Sequence, residues 1–152
     1  MRWIPTSRLF TAMAIGIGSL GIDTRSDAAP APCSLLTEAE VEQVVGKLIG
    51  SPKADQEGRA AWCNYEFANG TGDMSVMVIP ADGIERGRKK SKSPLVVKGL
   101  GDEAFFDRGM HGLEYVNLFI KKGETTVQIS LKEMPGDEDK VKTLGQKAVR
   151  RM

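Results

Sequence analysis

Two cysteines, one histidine, a few loop carboxylates and a run of cations are the residues whose types and spacing could do chemistry here. Cys33 and Cys63 do not form a Cys-x-x-Cys pair, and the sole histidine, His111, lies far from both in a Gly-rich stretch. A redox couple or a histidine-activated thiol therefore fits the spacing poorly. In an oxidising compartment the two thiols pair with each other, and a loop of this size gives about 3.5 kcal/mol in the chain-entropy model. With one histidine and no spare cysteine, a zinc-type ligand set is lacking, and no metal site is expected. Asp102, Glu103 and Asp107 are the candidates for acid/base work, although scattered turn acids are more often simply solvated. Gly99-x-Gly101-x-x-Ala104 matches the loose dinucleotide fingerprint, which requires a helix to follow it. Phe105-Phe106 reads as a strand instead, and Asp102 and Glu103 would repel phosphate, so a glycine turn and no cofactor are expected.

Arg86, Arg88, Lys89, Lys90 and Lys92 place five cations in seven residues. The chain as a whole is close to balance: 21 basic against 20 acidic residues, a formal charge of +1. Such a run is a candidate anion-binding element for lipid headgroups, an acidic envelope polymer or an acidic protein surface. The plainer reading is a solvated loop or an exposed helix face between strands. No aromatic residues accompany the run for stacking on bases, so nucleic acid is not an expected partner.

The elements that must position these residues begin after an address. Arg2 and Arg8 precede the uncharged stretch Leu9–Ile22, and Ser26-Asp27-Ala28 supplies small residues for a cut after Ala28. Basic, apolar, small is the order of a secretory signal peptide. As a helix the apolar stretch would span about 21 Å, short of the roughly 30 Å hydrocarbon core, so a stable transmembrane anchor is not expected. Prolines at 30 and 32 occupy the places where lipidation of Cys33 would need a Leu and a small residue, which argues against acylation. The expected organisation is a signal peptide over 1–28 and one domain over 29–152, exported to the periplasm or the outside. Removal of 1–28 takes three arginines and two aspartates and leaves acids and bases equal in number.

Composition suits one globular domain: 152 residues, 41% apolar and 27% charged. Ala29–Pro32 reads as an extended lead-in. Thr37 and Glu40 form a capping box for a helix carrying Val41, Val44, Val45 and Leu48, which Gly46 or Gly50 would end. Trp62–Phe67 alternates, placing Cys63, Tyr65 and Phe67 on one face, and forms a hairpin with Met74–Ile79 across the Asn69–Asp73 turn. Asn69-Gly70-Thr71 also fits a glycosylation acceptor, though the turn explains it. A third β region spans Pro94 to Phe106. Glu114–Lys121 and Thr125–Leu131 follow, the last with Val127, Ile129 and Leu131 on one side and Thr126, Gln128 and Ser130 on the other. Asp137 opens a terminal helix with the stripe Val141, Leu144, Ala148. The fold class is α+β: a mainly antiparallel sheet of four to six strands, with an N-terminal and a C-terminal helix on one face and one disulfide.

Four landmarks together carry a resemblance: Pro32-Cys33-Ser34-Leu35-Leu36-Thr37 before an acidic, valine-bearing helix; Cys63-Asn64-Tyr65; Gly99-Leu100-Gly101-Asp102-Glu103-Ala104; and Val127-Gln128-Ile129. The chain resembles a family of bacterial exported proteins of unknown function, widespread as lipoproteins in actinobacteria. The resemblance covers the chain from about Pro32 to the terminal helix. It implies an exported, disulfide-bonded, non-enzymatic α+β domain and supplies no catalytic residues. Lack of the acylation signal sets this chain apart from the lipoprotein members.

No motif in the chain names a reaction. The expected function is non-catalytic binding, with an envelope protein or an anionic polymer or lipid surface as partner. The alternatives are a small hydrolase or transferase using the loop carboxylates, and an inhibitor or accessory subunit of an envelope protein.

Overall fold

Alternation along the strands decides the architecture. A computed structural model describes residues 29–68, 70, 72–109, 112–132 and 137–152. Seven strands form one antiparallel sheet: β1 (Lys53–Glu57), β2 (Ala60–Glu66), β3 (Asp73–Pro80), β4 (Leu95–Val96), β5 (Glu103–Gly109), β6 (Gly112–Lys122) and β7 (Thr125–Lys132). The order β1-β2-β3-β7-β6-β5-β4 joins two meanders through the β3–β7 pair. Four helices occur among the described residues: α1 (Pro32–Leu35), α2 (Glu38–Val45), α3 (Gly83–Lys90) and α4 (Asp137–Val149). α3 is the crossover that carries the chain from β3 to the far edge strand β4.

One face of the sheet, here the inner face, is apolar from β2 across to β5. Cys63 and Tyr65 of β2, Val76 of β3, Ile129 of β7, Leu118 of β6 and Ala104 of β5 are all buried there, packed against Leu35, Val41 and Leu144. α1, α2 and α4 thus cover this face, as the expected N- and C-terminal helices do. α4 comes close to β6, because a Cβ at Gly145 would stand 2.7 Å from a methyl of Leu118.

The capping box at α2 is present in full, with Glu40 N–H donating to Thr37 Oγ1 and Thr37 N–H to the Glu40 carboxylate. Gly46, at φ 107°, ends that helix in a backbone conformation that a side chain would oppose. The disulfide Cys33–Cys63 joins α1 to β2, with Cα atoms 5.1 Å apart. Buried Tyr65 donates its hydroxyl to the Leu36 carbonyl at 3.0 Å. Arg151, beyond α4, donates to the Leu35 carbonyl and grips the Glu40 carboxylate through two nitrogens, each 2.9 Å from an oxygen. Disulfide, phenol and guanidinium together clasp the N-terminal segment onto the sheet.

Three expectations need correction. The sheet has seven strands rather than four to six. β1, Lys-Ala-Asp-Gln-Glu, is exposed at every position, so no apolar alternation announces it, and main-chain pairing with β2 alone makes it a strand. The expected third β region is two strands, β4 and β5, parted by the Gly99–Asp102 turn. The lead-in is not extended throughout, since Pro32 starts the helical turn α1, where its missing N–H costs nothing. The signal peptide over 1–28, His111, and Asn69 and Thr71 of the acceptor pattern lie outside the described residues.

Candidate functional site

The other face of the sheet, the outer face, is covered over only part of its width. Ile84 of α3 packs on Phe105 and Phe119, whose rings stack with centroids 4.8 Å apart. A Cβ at Gly87 would stand 2.8 Å from the Phe119 ring, so glycine is what lets α3 lie this close.

That packing also places the basic run. Arg86 pairs with Asp82 one turn back, at 2.6 Å. Arg88 pairs with Glu103 and lies 5.4 Å over the Phe105 ring. Two of the five candidate anion-binding cations are thus engaged within the fold. Lys89, Lys90 and Lys92 are exposed at and beyond the C-terminal end of α3, where the helix dipole favours cations.

The carboxylates are dispersed rather than brought together. Asp102 accepts from the Gly123 N–H at 2.7 Å, tying its glycine turn to the β6–β7 turn. Glu103 is held by Arg88, and buried Asp107 accepts from the Ser91 hydroxyl. β5, not a helix, follows Gly101, so the phosphate-binding arrangement is not formed there. Among the described residues no group of three metal-ligating side chains occurs, and no helix is long and apolar enough to cross a membrane.

Away from α3 the outer face is open and polar. The register aligns Lys53, Asn64, Ser75, Ser130, Asn117 and Asp107 across β1, β2, β3, β7, β6 and β5, one polar side chain per strand. Above this row lies a cleft of about 440 Å³, floored by Asn117, Gln128 and Ser130. Gln128 Nε2 donates to Ser130 Oγ at 2.9 Å and to Asn117 Oδ1 at 3.2 Å, and Ser130 Oγ donates to Asn117 Oδ1 at 2.7 Å. All three residues are buried, and Asn117 Nδ2 has no hydrogen-bond partner among the described residues. At the rim Lys53 pairs with Glu66 at 3.0 Å, and Tyr115 donates its hydroxyl to Asp73 at 2.9 Å. A second depression of about 400 Å³ shares Asn64, Ser75 and Met77 with the first and continues to Trp62.

The floor is rich in neutral groups that both donate and accept. Ser130 hands its proton to an amide oxygen, which lacks the basicity to activate a nucleophile. The shifted ionisations lie on the clasp side of the molecule. Arg151 and the Thr37 N–H hold Glu40 down to about 2, and burial, reinforced by Glu38 and Glu40, pushes the Tyr65 phenol up to about 12. Arg108 is raised by its bond to Glu138 at the start of α4.

Sequence reasoning passed over Asn64, Ser75, Asn117 and Trp62 as site residues. The one signal was in β7, where Gln128 and Ser130 alternate with apolar neighbours, but their convergence with Asn117 depends on cross-strand register. No protein-family model matches the chain, and neither a curated protein nor a solved structure matches it.

Proposed function

We propose that this chain is an exported, non-catalytic binding domain whose ligand seats on the open outer face of the sheet. The observation that carries the reading is the buried Asn117–Gln128–Ser130 network beneath an open cleft. A sheet face that served packing alone would be apolar and covered, as the inner face is; a few fixed polar groups in a concavity are how ligand sites are built. The disulfide supports export, because such bonds persist in oxidising compartments. The resemblance to exported bacterial proteins of unknown function points the same way.

A second reading keeps the cationic end of α3 as the contact, with an anionic lipid or polymer surface as partner. It is favoured by the exposure of Lys89, Lys90 and Lys92 beside each other.

The test is affinity capture from an envelope extract with the oxidised protein and two surface variants, Ser75→Arg/Met77→Glu and Lys89→Glu/Lys90→Glu. The outer-face reading expects the captured component to be lost with the first variant and kept with the second. Capture that survives a blocked outer face and vanishes with the lysines transfers the function to α3.

A further inference from the structure

We infer that the outer-face trough takes an uncharged polyhydroxy ligand, an oligosaccharide, laid across Asn64, Ser75 and the Asn117–Gln128–Ser130 floor, an inference that rests on the outer face being the binding surface. Charge is the first argument. Lys53 is the cation among the described lining residues, and Glu66 already neutralises it at 3.0 Å. Asp73 is engaged by the Tyr115 hydroxyl. The trough therefore offers an anionic ligand no free counter-charge, and the acids at its rim would repel one.

Hydrogen-bond chemistry is the second. A sugar hydroxyl donates and accepts at once, and it is matched by groups with the same dual capacity: the Ser75 and Ser130 hydroxyls and the Asn64, Asn117 and Gln128 amides. Among the described residues Asn117 Nδ2 is a buried donor without a partner, and leaving such a group unsatisfied is costly. Asn117 lines the cleft, so a ligand oxygen that reaches its Nδ2 would satisfy it.

Shape is the third. Trp62 and Met77 stand beside Asn64 and Ser75 and give the second depression an apolar surface for the C–H face of a ring. From Tyr115 on β6 to Trp62 on β2 the trough crosses three strand spacings, about 14 Å, more than one ring can fill. An extended peptide fits less well. Peptides gain affinity on sheets by main-chain pairing at an edge, and a sheet face offers them none.

The test is isothermal titration of the oxidised protein with cellohexaose, chitohexaose and maltohexaose, beside oligogalacturonate and an uncharged hexapeptide, at low and high salt. At least one neutral hexasaccharide is expected to bind, with an affinity changed less than about twofold by salt. Trp62→Ala and Asn64→Ala should each weaken it by about tenfold, whereas Lys89→Glu/Lys90→Glu leaves it unchanged. Circular dichroism of the variants checks that the fold is intact. If no neutral oligosaccharide binds, the inference is overturned. Binding of the hexapeptide that is lost in the Trp62 and Asn64 variants would leave the outer face as the binding surface and remove the sugar. Oligogalacturonate binding that falls with salt and with the lysine variant would remove both readings together.

Discussion

The two faces of the sheet are built from alternate residues of the same strands, yet they have different compositions and different coverings. On the inner face Leu118, Ile120, Val127 and Ile129 are wholly buried under helices and clasped at one end by the Cys33–Cys63 bond. On the outer face their neighbours Asn117, Phe119, Gln128 and Ser130 split into an aromatic part under α3 and a polar part left open. A face that only stabilises has no use for buried amides, because an apolar residue of the same size packs there without needing partners. The contrast separates a surface kept for stability from one kept for recognition.

The hardest way to break the contrast is to truncate the inner face. Leu118→Ala or Ile129→Ala should cost about 2–5 kcal/mol by urea denaturation, since each removes a wholly buried side chain. A loss no greater than that of an exposed-site variant would deny that this face is the core. Removing the clasp comes next. Cys33→Ser/Cys63→Ser should lower stability by about 3.5 kcal/mol, and the same shift should follow reduction of the native protein.

α3 tests the boundary between the two parts of the outer face. Gly87→Ala drives a methyl toward the Phe119 ring and should destabilise by about 1–3 kcal/mol. If thermal unfolding shows no change, α3 is too loosely held to divide the face.

The smallest expected effect is a pH dependence of the clasp. Glu40 is ionised in the folded state down to about 2 against an ordinary 4.5, so its pairing with Arg151 stabilises the fold above 4.5. That contribution is lost progressively as pH falls from 4.5 toward 2, where the unfolded chain takes up the proton first. Arg151→Ala should flatten the stability profile over this interval, and an unchanged slope would show that the ion pair contributes nothing there.

Much of the inner face is legible in the primary structure. Val141, Leu144 and Ala148 recur at helical spacing, Cys63, Tyr65 and Phe67 at strand spacing, and all are buried as their periodicity requires. The Thr37–Glu40 box is a local signal with a local cause. β1 escapes such reasoning because its five residues are exposed, and α3 because its cations suit a loop as well as a helix end. The cleft is harder still. Asn64, Ser75, Ser130 and Asn117 are ordinary polar residues scattered between positions 64 and 130, and only the pairing of β2 with β3, β3 with β7 and β7 with β6 sets them in a row.

Local chemistry thus determined the starts of α2 and α4 and the division of β2 and β7 into two sides, because these depend on residues adjacent along the chain or on a period of two or 3.6, while the pairing of the cysteines followed from there being two of them. Tertiary structure alone decided which polar side chains meet and which cations stay exposed. It did so because strand register and the placement of the α3 crossover bring together residues whose separation in sequence carries no information about their separation in space. Arg88 and Lys89 are consecutive cations, and one is folded onto Phe105 and Glu103 while the other faces outward.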